Sequence, residues 1–127
     1  VAGQEYVEKL KAKVFFVEDD ADSRNTSAKF LRMAGHTVVE TASSLPEALT
    51  KIPKLGKKGV NVAIVDGNLS EGDSSGRDGE TVAGQIKAQH SNIIVIGNAL
   101  EKPISVADIN CTKMHGSSKL AEVVTKA

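Results

Sequence analysis

The chain has 127 residues, enough for one domain with its own hydrophobic core. Sixteen Lys and Arg residues balance sixteen Asp and Glu residues, which argues against a protein that binds nucleic acid or a membrane surface through bulk charge. The single cysteine, Cys111, excludes an internal disulfide, and no apolar run approaches the roughly 20 residues of a membrane span. We therefore expect a cytoplasmic protein.

Short apolar runs rich in Val and Ile alternate with longer polar stretches of helical spacing. Residues 1–12 are interpreted as a lead-in and residues 13–127 as the domain. The predicted strands are 14–18, 36–41, 61–66, 92–96 and 107–112. The predicted helices are 23–34, one that begins near residue 44, 79–89, and one that begins near residue 117.

Local signals set the ends and the inward faces of the predicted helices. Asp22 or Ser23 is the expected N-cap of the first helix and Gly35 its stop, while Ser44 to Glu47 has the form of a capping box. The lysine-rich turn at 51–58 is interpreted as a solvated loop. The side chains expected to face the core are Ala28, Phe30, Leu31, Ala34, Ala48, Leu49, Ile52, Val82, Ala83 and Ile86.

The predicted strands are apolar throughout rather than alternating, which is typical of a parallel sheet covered on both faces. Five strand–helix units of this kind indicate a doubly wound α/β fold. Ligands of such folds bind outside the carboxyl ends of the strands, where the strand order reverses.

Polar residues follow four of the five strands at that edge. They are Glu18, Asp19 and Asp20 after the first strand, Asp66, Gly67 and Asn68 at the third, Gly97 and Asn98 at the fourth, and Lys113 at the fifth. Central strands would bring these residues into one crevice.

Carboxylates about 4 Å apart repel by roughly 4 kcal/mol at an effective dielectric near 20, so the acidic group calls for a cation. A site with only a few protein oxygen ligands favours Mg²⁺. The three histidines lie away from the strand ends, so they do not indicate a zinc or copper site. With Mg²⁺ and a lysine present, the natural ligand is a phosphoryl group, and Asp66 is a possible nucleophile toward it.

At these residues the chain resembles the receiver domain of two-component response regulators. Glu18 and Asp19 match the family's metal-binding acids, Asp66 its phosphoacceptor, and Lys113 its invariant lysine. The resemblance implies a flavodoxin-like five-stranded parallel sheet of order 2-1-3-4-5. It also implies that Asp19, Asp66 and the carbonyl of Asn68 bind Mg²⁺, with Glu18 acting through a metal-bound water and Lys113 neutralising the acyl phosphate.

The chain departs from the family pattern in four places. Gly97 stands where the family has Ser or Thr, and the neighbouring Asn98 is a candidate substitute. The stretch 70–78 resembles an insertion, and Met114 replaces the proline that follows the family's lysine. Few residues separate Gly97 from Lys113, and Pro103 is among them, so the fourth helix is expected to be shortened or absent.

The resemblance implies phosphoryl transfer from a histidine kinase or phosphotransfer protein, and an output through a protein partner or an effector domain outside this sequence. It implies self-catalysed transfer and autodephosphorylation rather than turnover of a substrate, with no direct contact to nucleic acid or membrane.

Three alternatives stay open. A pseudo-receiver would bind proteins without taking phosphate. A Mg²⁺ phosphatase of the haloacid dehalogenase type would use the Asp20 to Ser23 stretch, although its downstream acidic pair is missing. A flavodoxin-like nucleotide binder would need a Gly-rich loop after the first strand, which this chain lacks.

Overall fold

The computed structural model describes residues 12–66, 77–99 and 104–112. Its five strands form one parallel sheet of order β2-β1-β3-β4-β5, which confirms the predicted topology. The strands are β1 Lys13–Val17, β2 Thr37–Ala42, β3 Val62–Asp66, β4 Ile94–Ala99 and β5 Ile109–Thr112. The helices are α1 Ala21–Met33, α2 Leu45–Lys51, which continues into a 3-10 turn at Ile52–Lys54, and α3 Arg77–Gln89.

Three predicted segments lie outside the described residues: the lead-in up to residue 11, the loop at 67–76 and the helix expected from residue 117. Within the described ranges, no helix combines the length and the apolar character needed to cross a membrane.

Both faces of the sheet are buried, as the continuous apolar strands predicted. On one face, Phe15 and Val65 pack with residues of α2 and α3. On the other face, Phe16 and Ile64 pack against Leu31 of α1. Side chains alternate between the two faces along each strand, so a residue's position in its strand decides which layer it joins.

Helix α1 begins two residues earlier than the sequence predicted. Its N-cap is Asp20, whose carboxylate accepts a hydrogen bond from the Asp22 amide at 3.0 Å. Neither Asp22 nor Ser23 caps the helix, so the Ser23 hydroxyl remains available for another partner. Aspartate is among the best N-cap residues, and its negative charge also favours the positive end of the helix dipole.

The C-terminal end of α1 confirms Gly35 as the stop. Gly35 has φ of 93°, its amide donates to Arg32 O at 3.0 Å, and the His36 amide donates to Leu31 O at 3.0 Å. These two bonds form a Schellman motif, which needs the left-handed conformation that glycine adopts without strain. Ala34, expected to face inward, is instead exposed because it lies at the end of the helix, beyond the packed turns.

Helix α2 begins at the predicted cap, where the Ser44 hydroxyl accepts from the Glu47 amide at 3.3 Å. Ala48 and Ile52 are fully buried, but the inward position predicted for Leu49 is wrong, since Leu49 is 39% exposed. Ala48 and Ile52 lie four residues apart on the stripe that meets the sheet, and Leu49 lies about 100° around the helix from Ala48.

The lysine-rich turn contributes to the edge of the sheet as well as to the surface. The Lys51 ammonium lies 2.8 Å from Glu40 Oε1 and donates to Thr41 O at 2.6 Å, and Lys58 pairs with the second Glu40 oxygen. Hydrogen bonds from Lys51 and then Lys58 lower the pKa of Glu40 to about 2. Two of the lysines interpreted as solvated therefore fasten the turn to edge strand β2.

The connection between β4 and β5 spans nine residues, 100–108. Parallel strands usually need a crossover of a dozen or more residues, most often a helix. The described part of this connection, residues 104–108, contains turns and a bend, and we call it the strap. Ile104 of the strap is 1% exposed and packs into the core on the α2 and α3 side of the sheet. Residues 104–108 of the strap contain no helix, in agreement with the prediction that the fourth helix is shortened or absent.

Candidate functional site

Glu18 follows β1 directly and is completely buried. Its amide donates to Ala42 O at 3.0 Å, and its carbonyl accepts from Arg24 Nη1 at 2.8 Å. Its carboxylate oxygen Oε1 accepts a hydrogen bond from the Ser23 hydroxyl at 2.9 Å. Both the backbone and the side chain of Glu18 are thus held by neighbouring elements, in the way that a positioned ligand requires.

Three carboxylates meet at the carboxyl ends of β1 and β3. Glu18, Asp19 and Asp66 each offer one oxygen, and these oxygens all lie within 4.8 Å of one another. Asp66 ends β3 and is 2% exposed, whereas Asp19 is exposed. We call these residues the acidic cluster. Two ionised carboxylates at this separation repel by roughly 3 kcal/mol at an effective dielectric near 20, so a bound cation would relieve a real cost.

The end of β4 differs from the sequence-based interpretation. Asn98 pairs in register with Asp66, is 6% exposed, and lies on the same face of the sheet by strand alternation. Gly97 pairs with Val65, which packs on the opposite face. Because neighbouring strand residues point to opposite faces, the position beside Asp66 belongs to Asn98 and not to Gly97.

Gly97 has a structural reason to be glycine. A Cβ at this residue would collide with Asn110 Oδ1 and would lie 3.2 Å from Ile104 Cβ. The Asn110 amide occupies that space, because its Oδ1 accepts from the Ile104 amide at 2.9 Å and its Nδ2 donates to Ile104 O at 3.2 Å. Glycine inside a strand often marks such a close approach, which is the signal that could have identified this contact.

The strap is also fastened to α3 and β4. The Ser105 amide and hydroxyl donate to the two oxygens of Glu80 at 2.6 and 2.8 Å. Asp108 Oδ2 accepts from the Val95 amide at 2.8 Å and pairs with Lys87 at 3.0 Å. The Val95 amide, more than the Lys87 charge, lowers the pKa of Asp108. These contacts hold the strap at both of its ends.

Three residues predicted from the resemblance lie outside the described part of the chain. Asn68 comes two positions after Asp66, Lys113 follows the last residue of β5, and Met114 comes next. The roles expected for Asn68 and Lys113 therefore stay predictions.

The acidic cluster fits a hard divalent cation. Its ligand atoms are carboxylate oxygens, which Mg²⁺ prefers, and Mg²⁺ commonly uses only one or two carboxylates together with waters and a phosphate oxygen. The described histidines have other partners: His36 Nδ1 accepts from the Ala12 amide at 2.9 Å, and His90 Nε2 lies 2.8 Å from Ile52 O. Burial also lowers the pKa of His36.

Solved structures of the same fold are numerous. A response regulator receiver domain protein, described as CheY-like, from Methanospirillum hungatei JF-1 superimposes with a TM-score of 0.73. Its identity is 19%, and the alignment covers 91% of each chain. The fold is that of a receiver domain. The isolated receiver domain of RcsB from Salmonella enterica serovar Typhimurium, determined with the phosphomimetic BeF₃⁻, has 22% identity, a TM-score of 0.69, and coverage of 88% of this chain and 84% of that one.

A longer protein also contains the receiver fold. The anti-anti-sigma factor PhyR of Bartonella quintana, in a doubly substituted mutant form, has 19% identity and a TM-score of 0.73, and the alignment covers 99% of this chain but 52% of PhyR. No protein-family model matches the sequence, and no curated protein matches it. The receiver fold is therefore shown by the comparison of structures, while neither family models nor curated proteins match the sequence.

Proposed function

We propose that this chain is a phosphoacceptor signalling module that takes a phosphoryl group onto Asp66 with the help of Mg²⁺. The observation that carries the proposal is the buried carboxylate of Asp66, which ends β3 within 4.8 Å of oxygens from Glu18 and Asp19, in a receiver fold. A strand-end carboxylate of this kind can act as a nucleophile toward phosphorus.

In the proposed reaction, an Asp66 oxygen forms a bond to phosphorus while the bond from phosphorus to the donor nitrogen breaks. The leaving nitrogen takes a proton from solvent, and Asp66 becomes an acyl phosphate. When held by Asp19, Asp66 and the carbonyl of Asn68, with Glu18 acting through a water, Mg²⁺ would neutralise charge on the phosphoryl oxygens. Lys113 is proposed to neutralise the acyl phosphate that forms.

Asn98 is proposed to donate to the phosphoryl group from the neighbouring strand. It is in register with Asp66 and is buried beside it. A side-chain amide has two N–H donors, so it can bind a phosphoryl oxygen, but it lacks the compact hydroxyl that receivers carry near this point. We therefore expect this chain to retain phosphoryl uptake. The structural changes that follow uptake should differ from those of receivers that carry the hydroxyl.

The proposed donor is a histidine kinase or a phosphotransfer protein, and the proposed output is contact with a protein partner or with an effector segment outside this sequence. The similar anti-anti-sigma factor shows that the receiver fold also occurs as about half of a longer regulatory chain. We propose no substrate turnover, only self-catalysed transfer followed by hydrolysis of the acyl phosphate.

A pseudo-receiver is the second candidate. The observation that favours it is that the side chain beside Asp66 is the amide of Asn98 and not the hydroxyl that receivers carry near this point. The phosphatase alternative has less support. Its nucleophile would be Asp20, whose carboxylate instead caps α1 through the Asp22 amide. Helix capping is a sufficient reason for an acid at that position.

The test is incubation with Mg²⁺ and phosphoramidate, followed by intact mass measurement. We expect one added phosphoryl group on the unmodified chain, none on Asp66→Asn, and none when Mg²⁺ is chelated. Asp20→Asn is the matched control, because it removes a nearby carboxylate that lies outside the acidic cluster, and it should be phosphorylated like the parent.

Other results would change the proposal. Mg²⁺ binding without any adduct would favour the pseudo-receiver. Hydrolysis of a phosphate ester that is lost in Asp20→Asn but kept in Asp66→Asn would favour the phosphatase.

A further inference from the structure

The hydroxyl of Ser23 is directed to the acidic cluster rather than to the backbone of its own helix. Ser23 Oγ donates to Glu18 Oε1 at 2.9 Å in a partly buried setting. Glu18 itself is completely buried and shares the cluster with Asp19 and Asp66. The contact therefore joins the first turn of α1 to a residue that is proposed to hold the cation through a water.

The N-cap of α1 explains why this hydroxyl is available. Serine in the first turn of a helix commonly bonds to backbone amides, but here the Asp20 carboxylate provides the cap. The next residue, Arg24, reaches the carbonyl of Glu18 at 2.8 Å. Two consecutive residues of α1 thus hold Glu18, one through its side chain and the other through its backbone.

We infer that Ser23 is a positioning residue for the divalent cation, acting through Glu18. This inference rests on the metal site of the proposed function but not on phosphorylation of Asp66. The hydroxyl occupies one side of the Glu18 carboxylate and limits its rotation, so that the remaining oxygen lone pairs face a defined direction. Groups that orient direct metal ligands typically change metal affinity by about 10–100-fold when they are removed, and since Glu18 is proposed to act through a water, we expect the lower end of that range.

Selectivity between cations should change in the same direction. Mg²⁺ requires near-octahedral geometry at short distances, whereas Ca²⁺ accepts variable geometry and longer distances. A Glu18 carboxylate that is held less firmly on the Ser23 side would therefore weaken Mg²⁺ binding more than Ca²⁺ binding. A loss of general stability would not produce that difference between the two ions.

The experiment is calorimetric titration of the full chain with Mg²⁺ and, separately, with Ca²⁺, in the absence of a phosphodonor. Ser23→Ala should weaken Mg²⁺ binding about 10-fold and shift the Mg²⁺ to Ca²⁺ affinity ratio toward Ca²⁺. Ser23→Thr keeps the hydroxyl and should bind Mg²⁺ within about threefold of the parent chain. Thr26→Ala is the control, because Thr26 is an exposed hydroxyl residue on the same helix.

Urea unfolding of the three variants separates positioning from folding. Unchanged Mg²⁺ affinity in Ser23→Ala, with or without lost stability, would overturn the inference, as would equal losses for both cations. Absence of Mg²⁺ binding by the parent chain would also overturn it. Ser23-dependent Mg²⁺ binding without any phosphoryl adduct would leave it standing and would overturn the proposed phosphoacceptor function instead.

Discussion

The acidic cluster lies at the carboxyl ends of β1 and β3, whereas the strap leads back to the start of β5, and the polar groups of the two regions are arranged differently. In the acidic cluster, three carboxylates with like charge come within 4.8 Å. At the strap, the described carboxylates accept hydrogen bonds. Glu80 of α3 accepts two from Ser105 of the strap, and Asp108 of the strap accepts from the Val95 amide and from Lys87. One region gathers groups of like charge, and the other joins carboxylates to N–H and O–H donors.

The difference distinguishes a candidate binding site, the acidic cluster, from a structural connection, the strap. Like charges that are gathered and partly buried lower stability unless a cation or another partner offsets them, so the acidic cluster is a candidate binding site. Paired and hydrogen-bonded groups such as those of the strap stabilise the fold without any ligand. Variants in the two regions should consequently have effects of opposite sign in the absence of cation.

The largest stability effect is expected from Gly97→Ala. The added methyl would collide with Asn110 and approach Ile104, so we expect a loss of about 1–3 kcal/mol, measured by urea unfolding. Gly84→Ala is the matched control, because a Cβ at Gly84 in α3 meets nothing within 4 Å. That variant should gain up to about 1 kcal/mol from the better helix propensity of alanine.

The proposed collision can be tested further with Asn110→Ala. In the Gly97→Ala background, removing the Asn110 amide should cost much less than it does alone, because the added methyl has already displaced it. Strictly additive losses, or a Gly97→Ala protein as stable as the parent, would contradict the close packing between strap and strand.

An intermediate effect on stability is expected at Glu40, which forms ion pairs with Lys51 and Lys58 at the edge of the sheet. These hydrogen bonds lower the pKa of Glu40 from 4.5 to about 2 in the folded chain. Its stabilising contribution is therefore fully present above about pH 4.5 and is lost as the pH falls toward 2. Glu40→Gln should lose about 1–2 kcal/mol at pH 7, allowing for partial solvent screening.

The comparison of pH profiles is the sharper measurement for Glu40. The stability difference between the parent and Glu40→Gln should shrink between pH 4.5 and pH 2, when chemical unfolding is followed in that range. A difference that stays constant with pH would mean that the ion pairs with the two lysines do not hold Glu40 ionised.

The smallest effect, with the opposite sign, is expected at Asp19. Asp19→Asn removes one negative charge from the acidic cluster, so without Mg²⁺ it should raise stability by up to about 1 kcal/mol. Thermal unfolding with and without Mg²⁺ measures this, and the stabilisation by Mg²⁺ seen in the parent should shrink in the variant. A destabilised Asp19→Asn in metal-free buffer would show that repulsion does not dominate the cluster.

Much of the acidic cluster could be predicted from strand ends. Glu18, Asp19 and Asp66 follow apolar runs, and the carboxyl ends of neighbouring parallel strands meet at one edge of a sheet. The placement of Gly97 at the family's Ser or Thr position could not be predicted as firmly, because a shift of one residue along a strand moves a side chain to the other face. Sequence alone did not contain the register that brings Asn98 beside Asp66.

The class of fold, the gathering of acids and the shortened connection between the last two strands could all be predicted from the order of the residues. These features depend on local composition, on the number of residues in each connection and on the period of apolar residues, and all three can be read from the sequence. Tertiary structure alone decided that Asp20 rather than Ser23 caps α1, and that Ser23 therefore reaches Glu18. It also decided that Asn110 fills the space at Gly97. Such contacts depend on competition among several possible partners, and only the packed fold shows which partner is near enough to bind.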